Sequence, residues 1–331
     1  MTERAVGVML PRDLPAHLFR TYAQQAETLG FDELWVVEDC FFRGGVAQAA
    51  AALAMTEQIR LGVGILPAAV RNAAFTAMEA ATLAELFPGR VDIGIGHGMR
   101  GWMRQVGAWP ASQLTMLGEH LDAVRAILTG SRESADGRYV HLDGVELNTP
   151  PSSVPRILAG VRGPRSLALA GRSADGTILA EPVTPEYVAE ALRHIAPTRE
   201  HRIVAYCVAV VDEDAARARD TARPALEWIG DPDWDVHIAP LPFADEFRAL
   251  RAASASREAF AAAMPDAWVD QLAVVGTVDD ARTRIGQLHD AGVTTTVLMP
   301  VGTDPLAALE DLARVLQKTP GSLEPEQVHD L

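Results

Sequence analysis

The chain has 331 residues, of which 48% are hydrophobic and 22% charged, and it carries a formal net charge of −15. That length suits two ordinary domains or one large α/β barrel, and the composition is that of a globular protein with no apolar run of membrane-spanning length. The acidic balance argues against nucleic acid, whose binders present a basic face, while Cys40 and Cys207 are too few for a disulfide framework and match no zinc spacing, so no metal is expected.

The opening Met1-Thr2-Glu3-Arg4 lacks the apolar region of a signal peptide, which predicts a cytoplasmic protein. Apolar runs then alternate with helical patterns, the way a parallel sheet is written in sequence. Ala5–Leu10 is the first predicted strand, and Pro15 opens a helix whose Leu18, Tyr22, Ala26 and Leu29 share one face before Gly30 stops it. The second strand is Glu33–Asp39, apolar on both faces over Leu34-Trp35-Val36-Val37 as a covered parallel strand must be. A small-residue helix over Gly45–Met55 leads to a third strand, Ile59–Leu66, and a helix over Phe75–Leu86 that Pro88-Gly89 breaks. The fourth strand begins at Val91 and runs through Gly94 and Gly96 into an Arg100-Gly101-Trp102 loop. Leu114, Leu117, Leu121, Val124 and Leu128 recur at helical spacing with Gly130 beyond, the strongest amphipathic signal in the chain.

Asp136–Leu147, with Asp136-Gly137 and Asp143-Gly144, is predicted as a small β-hairpin. Strands five to seven are Arg156–Val161, Gly176–Pro182 and Arg202–Val211, with helices after Gly163-Pro164, over Pro185–Ile195 and over Asp214–Trp228. Gly230–Asp266 breaks the rhythm with Pro232, Pro240, Pro242 and Pro265 around a short alanine-rich helix, and a connection this long suits a lid-like insertion. Thr277-Val278-Asp279-Asp280 reads as a capping box, Thr294–Val301 as strand eight and Pro305–Leu316 as the last helix. Eight strands with intervening helices predict a single (β/α)8 TIM barrel over 1–331, with insertions at about 136–148 and 230–266.

In such a barrel the chemistry gathers at the carboxyl ends of the strands. Gly94, Gly96 and Gly98 suggest bare backbone against which a flat ligand lies, or else close strand packing. Gly96-x-Gly98-x-x-Gly101 matches a dinucleotide fingerprint in letter only, because Glu119 falls in a helix rather than at a strand end. Glu38 and Asp39 read as ligand-tuning acids or as cap and ion-pair residues. His97 is the leading candidate for proton handling, with Glu181 second and Glu38 third, and Cys40 reads as packing rather than nucleophile. Ala159-Gly160-Val161-Arg162-Gly163-Pro164-Arg165-Ser166 ends a strand in outward N–H groups, a proline that starts a helix and nearby guanidinium groups, which suits a phosphate or an ordinary turn with surface arginines.

Taken together, Gly30-Phe31-Asp32-Glu33-Leu34-Trp35-Val36, Ile59-Arg60-Leu61-Gly62-Val63-Gly64-Ile65, Ala81-Thr82-Leu83-Ala84-Glu85-Leu86, Pro88–Gly96 and Ala174-Asp175-Gly176 resemble the bacterial luciferase-like flavin-dependent oxidoreductases over nearly the whole chain. Gly160–Arg165 looks most like the F420-dependent branch that includes methylenetetrahydromethanopterin reductase and F420-dependent glucose-6-phosphate dehydrogenase. The resemblance implies a TIM barrel, usually a homodimer, holding coenzyme F420 or, alternatively, FMN at its carboxyl face and acting on a small organic substrate. It implies that Asp39 contacts the cofactor, with Cys40, Gly96, His97 and Gly98 beside it. Gly64-Ile65 falls where the family has a non-proline cis peptide, and Ala159, Gly160, Val161, Arg162 and Gly163 hold the phosphate. Three activities follow as expectations: hydride transfer with F420, FMN monooxygenation fed by a separate reductase, or flavin binding without turnover. The chain departs from many relatives in placing Cys40 where they have histidine. Met78, Thr82 and Leu86 are the expected face of a symmetric contact.

Overall fold

The computed structural model describes residues 4–317; residues 1–3, read above for a leader, and 318–331 lie outside them. Its strands are β1 (Ala5–Met9), β2 (Glu33–Val36), β3 (Arg60–Pro67), β4 (Val91–Gly96), β5 (Glu133–Asp136), β6 (His141–Val145), β7 (Arg156–Gly160), β8 (Gly176–Leu179), β9 (Arg202–Val211), β10 (Val274–Gly276) and β11 (Thr295–Pro300). Eight of them pair in parallel in the order β9-β11-β1-β2-β3-β4-β7-β8, and β8 returns to β9, closing the predicted (β/α)8 barrel. β10 pairs with the far end of β9, Val274–Gly276 beside Ala209–Val211. Sequence reading missed this strand because three residues are too few to show a period.

The outer helices are α1 (Phe19–Thr28), α2 (Gly45–Met55), α3 (Ala73–Leu86), α4 (Arg100–Gln105), α5 (Gln113–Leu128), α6 (Pro164–Ser173), α7 (Pro185–Ile195), α8 (Ala215–Ala222), α9 (Asp235–Ile238), α10 (Ala244–Ala253), α11 (Arg257–Ala263), α12 (Asp266–Leu272), α13 (Val278–Asp290) and α14 (Pro305–Ala313). Local chemistry sets their ends. The Asn72 side chain accepts from the Ala74 N–H and starts α3 two residues before the predicted Phe75. Thr277 and Asp280 form the expected capping box of α13. The helix predicted over Asp214–Trp228 stops at Ala222 and tightens into a 3-10 turn, where Pro224 cannot donate.

Both insertions are present with different interiors from those predicted. β5 and β6 pair antiparallel with Asp136 opposite His141, so the turn is 137–140, and Asp143-Gly144 lies within β6 rather than in a turn. Gly230–Asp266 is not a strap around one helix. It carries α9, α10 and α11, and Ile238, Phe247 and Phe260 of these helices bury with Trp234, in the 3-10 turn before α9, against Val208 of β9. Its prolines fall between these helices rather than breaking one.

Inward positions fill the lumen in layers. At the amino end Arg202 bonds Glu33 and Asp92, which are each 3% exposed, and Thr295 (2.6 Å); Arg60 meets Asp92 at 3.1 Å. Above this cluster lies fully buried Trp35, its N–H donating to Glu33 Oε2 (2.9 Å). Space for that indole comes from the neighbouring strands: a Cβ on Gly62 would sit 2.3 Å from the ring, and one on Gly7 3.1 Å. Replacing Arg202 by Leu leaves two buried carboxylates without their shared cation, so urea denaturation should show a loss of about 3–5 kcal/mol.

Candidate active site

At the carboxyl end, β3 shifts register between Val63 and Leu66, and the Gly64–Ile65 peptide bond is cis, at the position the resemblance implies. Ile65 then lies across the ends of β4 and β7: Cβ atoms built on Gly160, Gly94 and Gly96 would stand 2.3, 3.2 and 3.2 Å from its side chain. Ile178 occupies the remaining room at Gly94. Of the two readings of the β4 glycines, bare backbone for a flat ligand or close packing, these contacts favour close packing. The glycines accommodate Ile65, and the part-exposed Ile65 is the apolar surface presented to the mouth.

The acids divide between two environments. Glu38 faces outward between β2 and β3, bonded to Arg71 (2.7 Å) and accepting from Gly45 N–H at the start of α2 (2.6 Å). Glu38 is therefore corrected from a catalytic candidate to a cap and ion-pair residue. Asp39 stays at the mouth, paired with Arg12 (2.9 Å), whose guanidinium stacks on the exposed Phe42 (4.9 Å). Glu181 follows β8 at the mouth. Burial pushes its carboxyl up and the Asp39 charge adds to this, against its own backbone N–H and the guanidinium groups of Arg162 and Arg12. The Cys40 thiol is also pushed up by burial and by Glu38 and Asp39, so it stays protonated at neutral pH, against a nucleophilic role.

His97 lies between the mouth and α6. Its Nε2 meets Ser166 Oγ of α6 (3.1 Å), and the ring hydrogen-bonds the backbone of Gln113 at the start of α5. Burial, reinforced by Arg162, lowers its pKa to about 4. The imidazole, neutral near pH 7, is held by Ser166 and so supports the turn before α6. That turn, Ala159–Gly163, leads into a ten-residue helix that begins at Pro164 with no side-chain cap, leaving its first N–H groups open to an anion. Arg162 is held there, stacked on Trp234 (4.8 Å) and donating to Asp233 O (3.2 Å), while Tyr187 Oη donates to Arg162 O (3.2 Å). His237 hydrogen-bonds Pro182 O (3.1 Å) and stacks on Tyr187 (centroids 4.2 Å apart), docking the helical insertion beside the turn.

Sequence reading singled out none of Arg12, Trp234, His237 and Tyr206, and took Ser166 only as the end of the Ala159–Ser166 turn. Arg12 lies outside the strand ends that were read, and a strand covered on both faces gives no sign that Tyr206 differs from its neighbours.

The comparisons agree with this geometry. The family model for luciferase-like monooxygenases matches residues 3–295, and the chain belongs to that family. It is 32% identical over 308 residues to 5,10-methylenetetrahydromethanopterin reductase of Methanolobus tindarius, covering 87% of this chain and 92% of that protein. It is 30% identical over 182 residues, 51% of this chain and 54% of the other, to F420-dependent glucose-6-phosphate dehydrogenase of Nakamurella multipartita. The coenzyme F420-dependent tetrahydromethanopterin reductase of Methanopyrus kandleri superposes with a TM-score of 0.79 at 22% identity, over 94% of this chain and 97% of that one. Among the described residues no helix is long and apolar enough to cross a membrane.

The buried histidines set an acid limit. His97 and His120 are lowered to about 4 and His237 to about 3, chiefly by burial. Below pH about 6.5 the unfolded chain takes up protons that these sites refuse, so stability falls as pH drops from about 6.5 to 4. Denaturation midpoints measured across that window should decline, and His97→Asn should flatten the slope by up to about 1.4 kcal/mol per pH unit.

Proposed function

We propose that this protein is an F420-dependent oxidoreductase that moves a hydride between the coenzyme and a small organic substrate, both bound at the carboxyl face of one barrel domain. The observation that carries the reading is the mouth itself: the apolar Ile65 surface lies between the carboxyls of Asp39 and Glu181 and an uncapped helix start flanked by Arg162. The F420-dependent names among the relatives support the choice of coenzyme. These residues fit a flat ring joined to an anionic chain. Gly64, Gly94, Gly96 and Gly160 keep the Ile65 surface flush with the strands, and the Ala159–Gly163 turn with α6 supplies donors for a phosphate. F420 supplies the hydride-carrying ring when bound. The chain's residues do the rest.

Glu181 holds or accepts the proton that moves at the substrate, because a carboxyl raised by burial is suited to proton exchange near neutral pH. Asp39, fixed by Arg12, positions the ring edge. His97, through Ser166, steadies the phosphate turn. Glu181→Gln should therefore lower kcat by about 10²-fold or more with little change in F420 affinity, whereas His97→Ala should loosen F420 and spare turnover at saturation. Stopped-flow kinetics with fluorescence titration separates these outcomes. FMN binding more tightly than F420, with no salt dependence for F420, would reverse the coenzyme assignment and call for a separate reductase.

The second copy of the chain is assigned to α3. Phe75, Met78 and Leu86 are 63%, 47% and 65% exposed, and Phe75, Met78 and Thr82 line a groove of about 300 Å³ closed by Leu147 and Asn148 after the hairpin. A symmetric pairing of this face buries those side chains. Light scattering should give a dimer mass at micromolar concentration, and Phe75→Glu with Met78→Glu should give a monomer.

A further inference from the structure

Tyr206 leaves β9 pointing into the barrel, and β3 lies four strands from β9 in either direction around the ring. The side chain crosses the lumen to reach it: a Cβ on Gly64 would stand 2.3 Å from the Tyr206 hydroxyl and 3.0 Å from Cζ. Beneath it the ring packs edge-on against Trp35 (centroids 5.8 Å apart, 79° between planes). Trp35 commits its own N–H to Glu33 and offers no acceptor. The tyrosine is 4% exposed, and its hydroxyl has no hydrogen-bond partner in the protein.

An unsatisfied buried hydroxyl costs stability, and phenylalanine would fill the same space without that cost. The feature therefore calls for a partner that arrives from outside the chain. The hydroxyl ends at Gly64, which is part-exposed beside Ile65, and the acids whose charges act on it are Asp39 and Glu181 of the mouth with Glu33 below. Those charges and burial keep the phenol protonated, so the group acts as a donor. With no side chain at Gly64, the hydroxyl meets the thinnest cover the chain can place over it.

We propose that Tyr206 is a ligand-binding residue of this site: its hydroxyl, closed to solvent under Gly64 in the ligand-free protein, donates to a carbonyl oxygen or ring nitrogen of the heterocycle seated on Ile65 when the Gly64 backbone gives way. The inference deepens the F420 reading and rests on it. Wild type and Tyr206→Phe are compared by thermal unfolding of the ligand-free protein, by fluorescence titration with F420, and by the absorption spectrum of bound F420. The variant should melt at the same or a higher temperature while binding F420 about ten-fold more weakly, with its bound spectrum shifted from that of the wild type. A lower melting temperature would show that the hydroxyl has a structural partner such as a buried water, and overturns the proposal. Unchanged affinity and spectrum in a variant of normal stability overturn it too and leave the F420 reading standing. Failure of the wild type to bind F420 overturns that reading and this assignment together.

Discussion

The lumen of an eight-stranded barrel has a fixed cross-section, so every large inward side chain requires a small one opposite or beside it. Three such matches build this protein from floor to mouth. Trp35 takes the room left by Gly7 and Gly62, Tyr206 ends where Gly64 has no side chain, and Ile65 lies over Gly94, Gly96 and Gly160. The glycines are thus conditions for particular neighbours. A Cβ at Gly62, Gly64 or Gly160 would approach within 2.3 Å of the residue it serves.

Charge is arranged along the same axis with opposite purposes at the two ends. At the amino end Glu33 and Asp92 are almost wholly buried and share Arg202, with Arg60 closing the cluster from the side. With both carboxylates buried and paired, such a group acts to close the barrel. At the carboxyl end Asp39 and Arg12 are paired but partly exposed, and Glu181 has its carboxyl raised by burial rather than fixed by a direct ion pair. One end is satisfied internally; the other leaves Asp39 and Arg12 partly exposed at the mouth.

The helical insertion joins these features to the Ala159–Gly163 turn. Trp234 supports Arg162 from above, and His237 ties the insertion to the loop after β8 through Pro182 O. The two contacts fall three residues apart around the start of α9, so one short segment orients both the guanidinium and the loop that carries Glu181.

The barrel was legible in the amino-acid sequence because periodicity and punctuation are local. Apolar runs covered on both faces, Gly30 after α1, Asn72, the Thr277–Asp280 box and the proline starts of α6 and α7 all act within a turn or two of the chain, and all eight barrel strands start within one residue of the expected position. The Ala159–Gly163 turn and the acids at strand ends were readable for the same reason. The division of labour among those acids was decided by tertiary structure alone. Whether Glu38 or Asp39 faces the mouth depends on Arg71 and Arg12 arriving from other strand ends, and whether His97 is free depends on Ser166, 69 residues away. The role of the β4 glycines turned on a side chain from β3, and Tyr206 reaches Gly64 only because ring closure sets β9 opposite β3. Local propensity writes the elements; which side chain meets which across the lumen is fixed by the closed ring, whose partners are distant in the chain.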